Sequence, residues 1–87
     1  MQVNDCIKGM ARAAGVSLAE VSRRMGRSER WASVVGAPSR SPALATVADV
    51  ADVLGYHLAV LDGAGRVVGT IEAPRSVAAG EGGSQEG

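Results

Sequence analysis

The sequence predicts a mainly α domain: a small bundle of about four helices containing a helix-turn-helix, followed by a C-terminal β-hairpin. Three observations predict it. Apolar residues recur at helical spacing as far as Leu54, with Gly15, Gly26 and Gly55 as stops. Ser17 to Gly36 holds two short helical patterns joined by a tight turn at Gly26. Past Gly55 the apolar period drops to alternation, and two strand-like runs flank Asp62-Gly63-Ala64-Gly65.

The first helix is expected from a cap at Asn4 to Ala14, with Gly15 as its stop. Ile7, Met10, Ala11 and Ala14 form its apolar stripe. Gly9 inside it costs about 1 kcal/mol relative to Ala unless a close helix crossing needs it. Cys6 borders the stripe and reads as a small, partly buried apolar residue.

The second helix opens on Ser17-Leu18-Ala19-Glu20, a Ser-x-x-Glu capping box, and places Val21 and Met25 on one face. Gly26 ends it. Ser28 is the expected cap of the third helix, with Glu29 in its first turn, where a carboxylate suits the helix dipole. Trp31, Ala32 and Val35 form its apolar side. Trp31 reads as a half-buried packing residue, with stacking on a nucleic-acid base as the sharper alternative.

Ala37 to Ser41 is a loop broken by proline, after which Ser41 caps and Pro42 opens the fourth helix. Its stripe is Leu44, Val47, Val50, Ala51 and Leu54. Asp49 and Asp52 fall on its other side and read as a solvated face. The strands are expected at Tyr56 to Leu61 and Arg66 to Glu72. Leu58 and Val60 share one face, Val67 and Ile71 another. His57 has no triad or ligand partner in view and reads as structural. The division is thus a helical domain at 1–55, a hairpin at 56–74 and a disordered tail at 75–87 rich in Gly, Ser, Ala and Glu.

Composition bounds the function. The 87 residues make one small domain with no Phe, one Trp and one Tyr, so aliphatic residues must fill a marginal core. The single Cys6 excludes an intrachain disulfide, and no Cys or His group has metal-ligand spacing. No cofactor is expected, nor enzymatic activity, because no nucleophile–base pair or phosphate-cradling Gly loop is present. No apolar run follows the first charges, and the longest charge-free apolar stretch lies between Asp52 and Asp62. A signal peptide and a membrane span are therefore not expected, and a cytoplasmic setting is. Net charge is zero, yet it is unevenly spread. From Lys8 to Arg40 seven basic residues face two acidic ones, and elsewhere two basic residues face seven acidic ones. The basic half includes Arg23, Arg24, Arg27 and Arg30 around the turn, the charge pattern of a polyanion binder.

Val21-Ser22, Met25-Gly26, Ser28, Trp31-Ala32-Ser33 and Val35, followed by Pro42 to Tyr56 with its Leu54-Gly55, resemble the Cro/C1-type (lambda-repressor-like) helix-turn-helix proteins. The likeness is greatest to the short phage-type repressors and covers roughly residues 4 to 61. Two positions depart from the family: Ser22 stands where Ala is usual, and Ala32 where a larger aliphatic residue is usual. Serine is small enough for the helix contact and can bond back to its own turn. Trp31 is expected to supply the missing volume.

The resemblance implies a sequence-specific regulator that binds double-stranded DNA, a homodimeric repressor whose third helix enters the major groove. By position it implies base contacts from Ser28, Glu29 and Arg30, and one turn later Ser33 or Val34. Arg30 can donate two bonds to guanine, and Glu29 can accept from cytosine. Phosphate contacts are expected from the start of the second helix at Ser17 and Leu18, from Arg27, and from Ser39, Arg40 and Ser41. A dimer interface is expected on Leu58, Val60, Val67, Val68 and Ile71, since an uncovered apolar hairpin favours a partner. The competing reading is a protein-interaction module, antitoxin-like, that meets a second protein through the hairpin edge or the acidic tail.

Overall fold

The computed structural model describes residues 2–75. Its helices are α1 (Val3–Ala14), α2 (Leu18–Arg24), α3 (Trp31–Val35) and α4 (Leu44–Val53). Strands β1 (Leu58–Leu61) and β2 (Val67–Ile71) then pair as an antiparallel hairpin. This is the architecture the sequence predicts, and it is broadly consistent with a helix-turn-helix fold. Of the expected tail, residues 76–87 lie outside the described residues.

Helix α1 starts earlier than Asn4 predicts. Gln2 is its cap: the Gln2 N–H donates to Asp5 Oδ2, and the Asp5 N–H donates to the Gln2 carbonyl, both at 3.0 Å. A carboxylate one turn into a helix reaches back to the entering chain and favours the positive end of the dipole, so Asp5 sets the start and Asn4 becomes helical. Ile7 and Ala11 of the expected stripe are buried, Met10 packs at the edge of the core, and Ala14 is half-buried. Gly9 lines an open groove shared with Tyr56, His57 and Leu58. The half-buried Cys6 thiol faces the Gln2 carbonyl at 3.8 Å.

Helix α2 keeps one half of its capping box. Ser17 Oγ accepts the Glu20 N–H at 3.0 Å. The reciprocal bond is replaced, because the Glu20 carboxylate turns instead to Arg23 and Arg24. At the other end Gly26 takes φ +73°, and the N–H groups of Gly26 and Arg27 return to the carbonyls of Arg23 and Ser22. This paired closure needs a left-handed residue, which costs a side-chain-bearing L-residue about 1–2 kcal/mol.

Helix α3 begins two residues later than a Ser28 cap predicts. Ser28 to Arg30 form a turn, with the Trp31 N–H donating to the Ser28 carbonyl at 3.0 Å. The cap position is Arg30, whose side chain caps nothing. The acceptor comes from the neighbouring helix: Ser22 Oγ accepts the Ala32 N–H at 2.9 Å while donating to the Leu18 carbonyl at 2.9 Å. With a first-turn N–H already satisfied from α2, a local Ser28 cap is unnecessary. Helix α3 ends at Gly36, where an added Cβ would stand 3.1 Å from the Ala32 carbonyl oxygen and 3.9 Å from Ile7 Cβ.

Helix α4 also starts later than expected, at Leu44 rather than Pro42, and Ser41 does not cap it. The Ala43 carbonyl accepts from Thr46 and Val47 and opens the ladder alone. Leu44 falls on the first position, ahead of the packed turns, and is 54% exposed rather than part of the core. Val47, Val50 and Ala51 are buried as expected, together with Ala48. The acidic side of α4 is partly covered by the chain itself. Asp49 Oδ1 accepts the Arg75 N–H at 3.0 Å, and Asp52 Oδ2 lies 4.0 Å from Arg75 Nε. Arg75 Nη1 reaches Met25 Sδ at 3.5 Å. Arg75 is therefore docked, not the start of a tail, and Ala73 beside it is buried.

Both strands are shorter than predicted, and Tyr56 and His57 lead into β1 without joining it. The register pairs Leu58 with Ile71, Ala59 with Thr70 and Val60 with Gly69, then shifts so that Leu61 pairs with Val67. Val68 is the extra residue of this bulge. Cross-strand partners share a face, so Ile71 joins Leu58 and Val60, whereas Val67 joins Leu61 on the opposite face. The expected pairing of Val67 with Ile71 on one face is thus corrected by the bulge. Asp62 builds the turn: its Oδ1 accepts from the N–H groups of Ala64 and Arg66, and Gly65 takes φ +88°.

The core sits among the helices, where Ile7, Ala11, Val21, Ala32 and Val50 meet. Burying each Ile or Val is worth about 1.5–3 kcal/mol, so a core with so few large side chains depends on its polar links. Ser22, fully buried, is the chief one. Replacing it with Ala leaves the Ala32 N–H and the Leu18 carbonyl without this partner. Ser22→Ala is expected to destabilise the domain by about 1–3 kcal/mol, measured as a lower urea midpoint with an unchanged slope.

Candidate nucleic-acid interface

The candidate site is the α2–turn–α3 unit and the loop that follows it. Ser22 fixes the mutual placement of the two helices through its two hydroxyl bonds, and Gly26 turns the chain between them. Trp31 is partly buried against the core cluster, as the packing reading expects, and leaves one ring face to Arg27. The Arg27 guanidinium carbon lies 5.4 Å from the ring centroid. Such a contact holds a cation by the ring quadrupole and limits the rotamers Arg27 samples.

Of the residues expected at base edges, Arg30, Ser33 and Val34 come together. They are exposed and lie at the i, i+3, i+4 positions of the cap and body of α3. Ser28 and Glu29 are exposed but stand in the turn ahead of the helix. Glu29 Oε2 accepts from Arg23 Nη1 at 2.9 Å. Of the residues expected at phosphates, Ser39, Arg40 and Ser41 are exposed in the loop after α3, where the Arg40 N–H closes a turn on the Ala37 carbonyl. At the start of α2 the Ser17 hydroxyl is occupied by the Glu20 N–H, and the Leu18 side chain packs against the core.

The four arginines around the turn are not equivalent. Arg23 and Arg24 are paired: Arg23 bonds Glu20 and Glu29, and Arg24 Nε bonds Glu20 Oε2 at 2.9 Å. Arg27, Arg30 and Arg40 make no ion pair among the described residues. The hydrogen bonds from Arg24, and next from Arg23, hold the Glu20 carboxyl below its ordinary value of 4.5. The same bond to Glu20 holds the Arg23 guanidinium above its ordinary range. Sequence reading located these arginines but missed their pairing. The Glu20–Arg24 spacing of four residues on one helix was the available signal.

The expected dimer residues divide. Val60, Val67 and Val68 are 49%, 62% and 69% exposed, while Leu58 and Ile71 are half-buried at the base of the hairpin. Leu61, 55% exposed and paired with Val67, belongs with the exposed set and was not expected there. Among the described residues no group of three His, Cys, Asp or Glu side chains is placed to hold a metal ion, and no helix is long and apolar enough to cross a membrane.

What this arrangement supplies chemically is donors and positive charge on a preformed two-helix frame. The chain matches no family model, no curated protein and no solved structure.

The depressed Glu20 carboxyl links the frame to pH. Its contribution is present above the ordinary value of 4.5 and is lost as pH falls through its lower folded value. Because these side chains are exposed, the effect is small. Urea midpoints measured from about pH 6 to about pH 3 are expected to fall less for Glu20→Gln than for the unaltered chain.

Proposed function

We propose that this chain is a sequence-specific regulator that binds double-stranded DNA, of the Cro/C1-like helix-turn-helix kind, acting as a homodimeric repressor. The observation that carries the reading is a pair of helices linked by Ser22, with Arg27, Arg30 and Arg40, which make no ion pair among the described residues, bracketing the second helix. Unpaired guanidiniums beside an exposed helix face suit a duplex, whose backbone takes positive charge and whose major groove admits a helix. In this reading Arg30, Ser33 and Val34 face base edges, with Ser28 and Glu29 at the entry to the groove. Ser17, Leu18, Arg27, Ser39, Arg40 and Ser41 serve the phosphates.

The exposed valines of the hairpin support a second copy as partner. Isolated exposed apolar residues are ordinary, but Val60, Leu61, Val67 and Val68 cluster on one short hairpin. A twofold dimer through this hairpin doubles the length of sequence read. Its operator is an inverted repeat with half-sites about 34 Å apart. A different protein on the same surface is the antitoxin-like alternative.

Selection of bound sequences from a random duplex pool tests the reading as a whole. A regulator of this kind enriches an inverted repeat, and its affinity falls steeply with salt. Arg30→Ala is expected to weaken binding to the selected site by about 1–3 kcal/mol and to relax preference at one base pair. Arg40→Ala is expected to weaken all sequences alike and to make the salt slope shallower by about one unit. Sedimentation of the intact chain at tens of micromolar is expected to give a dimer, and Val68→Lys to shift it toward monomer. A monomer with and without DNA removes both the dimer and its inverted-repeat operator.

A further inference from the structure

Two of the arginines beside the turn are held by carboxylates. Arg23 Nη1 donates to Glu29 Oε2 at 2.9 Å, and Arg23 Nη2 and Nε both reach Glu20 Oε1, at 3.0 and 3.2 Å. Arg24 Nε donates to the other oxygen, Glu20 Oε2, at 2.9 Å. The side chains lie at the surface, with Arg23 51% and Glu29 70% exposed. Exposed pairs of this kind add little to stability. Their larger effect is on the charge that the surface offers to a polyanion.

We propose that Glu29, backed by Glu20, is an internal counter-ion for Arg23 that lets go only on the cognate duplex. The inference rests on the DNA-binding reading above. A phosphate that approaches Arg23 must displace a carboxylate and then sit beside like charge. On an arbitrary duplex nothing offsets that cost, so Arg23 stays closed. On a duplex that presents a cytosine amino group to Glu29, the carboxylate exchanges Arg23 for the base, and the freed Nη1 edge of the guanidinium takes a phosphate while Glu20 keeps Nε and Nη2. Arg27, Arg30 and Arg40, which carry no such partner among the described residues, are available on any sequence. The specific complex therefore neutralises at least one phosphate more than the non-specific one. Discrimination comes in part from suppressing the wrong complex.

The test compares the unaltered chain with Glu29→Gln on two duplexes over a salt series. One duplex is selected from a random pool by the unaltered chain, and the other is its scrambled version. Glutamine keeps the size of the side chain and removes the charge. Glu29→Gln is expected to bind the scrambled duplex about fivefold tighter at about 0.1 M salt, with a slope steeper by about one unit. Its affinity for the selected duplex is expected to stay level or fall, so the ratio between the two collapses. Glu20→Gln, which leaves the cytosine contact in place, is expected to gain on the scrambled duplex without losing on the selected one. An unchanged affinity and slope for Glu29→Gln on the scrambled duplex overturns the inference while leaving the DNA-binding reading intact. An equal gain on both duplexes also overturns it, because Glu29 is then a plain repulsive charge. If the unaltered chain selects no duplex at all, the DNA-binding reading fails and the inference fails with it.

Discussion

One hydroxyl group organises the helical half of this protein. Helix α3 has only five residues, too few to persist by propensity, since a single helical turn fixes many dihedrals for one hydrogen bond. Neither of its ends has a side-chain cap of its own. Ser22 supplies what the local sequence lacks by accepting the Ala32 N–H from across the helix pair. The same oxygen donates to the Leu18 carbonyl, so its two bonds point in fixed directions and set the approach of the helices. The burial of Ala32 and the half-burial of Trp31 both follow from that approach. Ala32 is fully buried beside this bond, and Trp31 packs partly buried against the same core.

How far the sequence reveals this structure depends on whether the signal is local. Gly15, Gly26 and Gly55 end their helices where the sequence predicts, because a left-handed closing residue is chosen by its own backbone. The Asp62 turn is legible for the same reason: its side chain bonds N–H groups two and four residues away. The helix starts are less legible. Asn4, Ser28 and Ser41 are all good caps by type, yet each is bypassed. At α1 a carboxylate competes for the entering chain, and at α3 the cap arrives from another helix. At α4 the Ala43 carbonyl opens the ladder without any side chain. Within the candidate site the arginines could be found by charge density. Their division into paired and unpaired could not, because the Arg23–Glu29 contact crosses the turn.

That division changes what the neutral net charge means. Counting residues gives a basic half and an acidic half, and it overstates the charge available around the turn. Once Glu20 and Glu29 have taken Arg23 and Arg24, the cations near α3 without an ion pair among the described residues are Arg27, Arg30 and Arg40. These are spread along the chain before, at and after the helix rather than stacked on α2. The acidic residues of the other half are similarly engaged in part. Asp49 and Asp52 receive Arg75, which also reaches Met25 at the end of α2. The return from the hairpin is thereby fastened to the helix that carries the turn.

The hairpin poses the opposite problem, an excess of apolar surface over what the helices can cover. With regular alternation, Val67 would lie on the same face as Gly69 and Ile71, and the other face of β2 would show only Thr70 and Val68. The bulge at Val68 moves Val67 across to join Leu61, which adds a valine to a face that already carries Ala59 and Leu61. Helices can pack on one face only, and they do so near the base, where Leu58 and Ile71 are half-buried. A hairpin of two strands is marginal by itself in water, and this one leaves Val60, Val67 and Val68 exposed rather than in the helical core. Its order and the stability of the small helical domain are both improved by anything that covers that surface in the folded state alone. If the cover is a second copy, folding and assembly are linked by mass action, and stability rises with protein concentration.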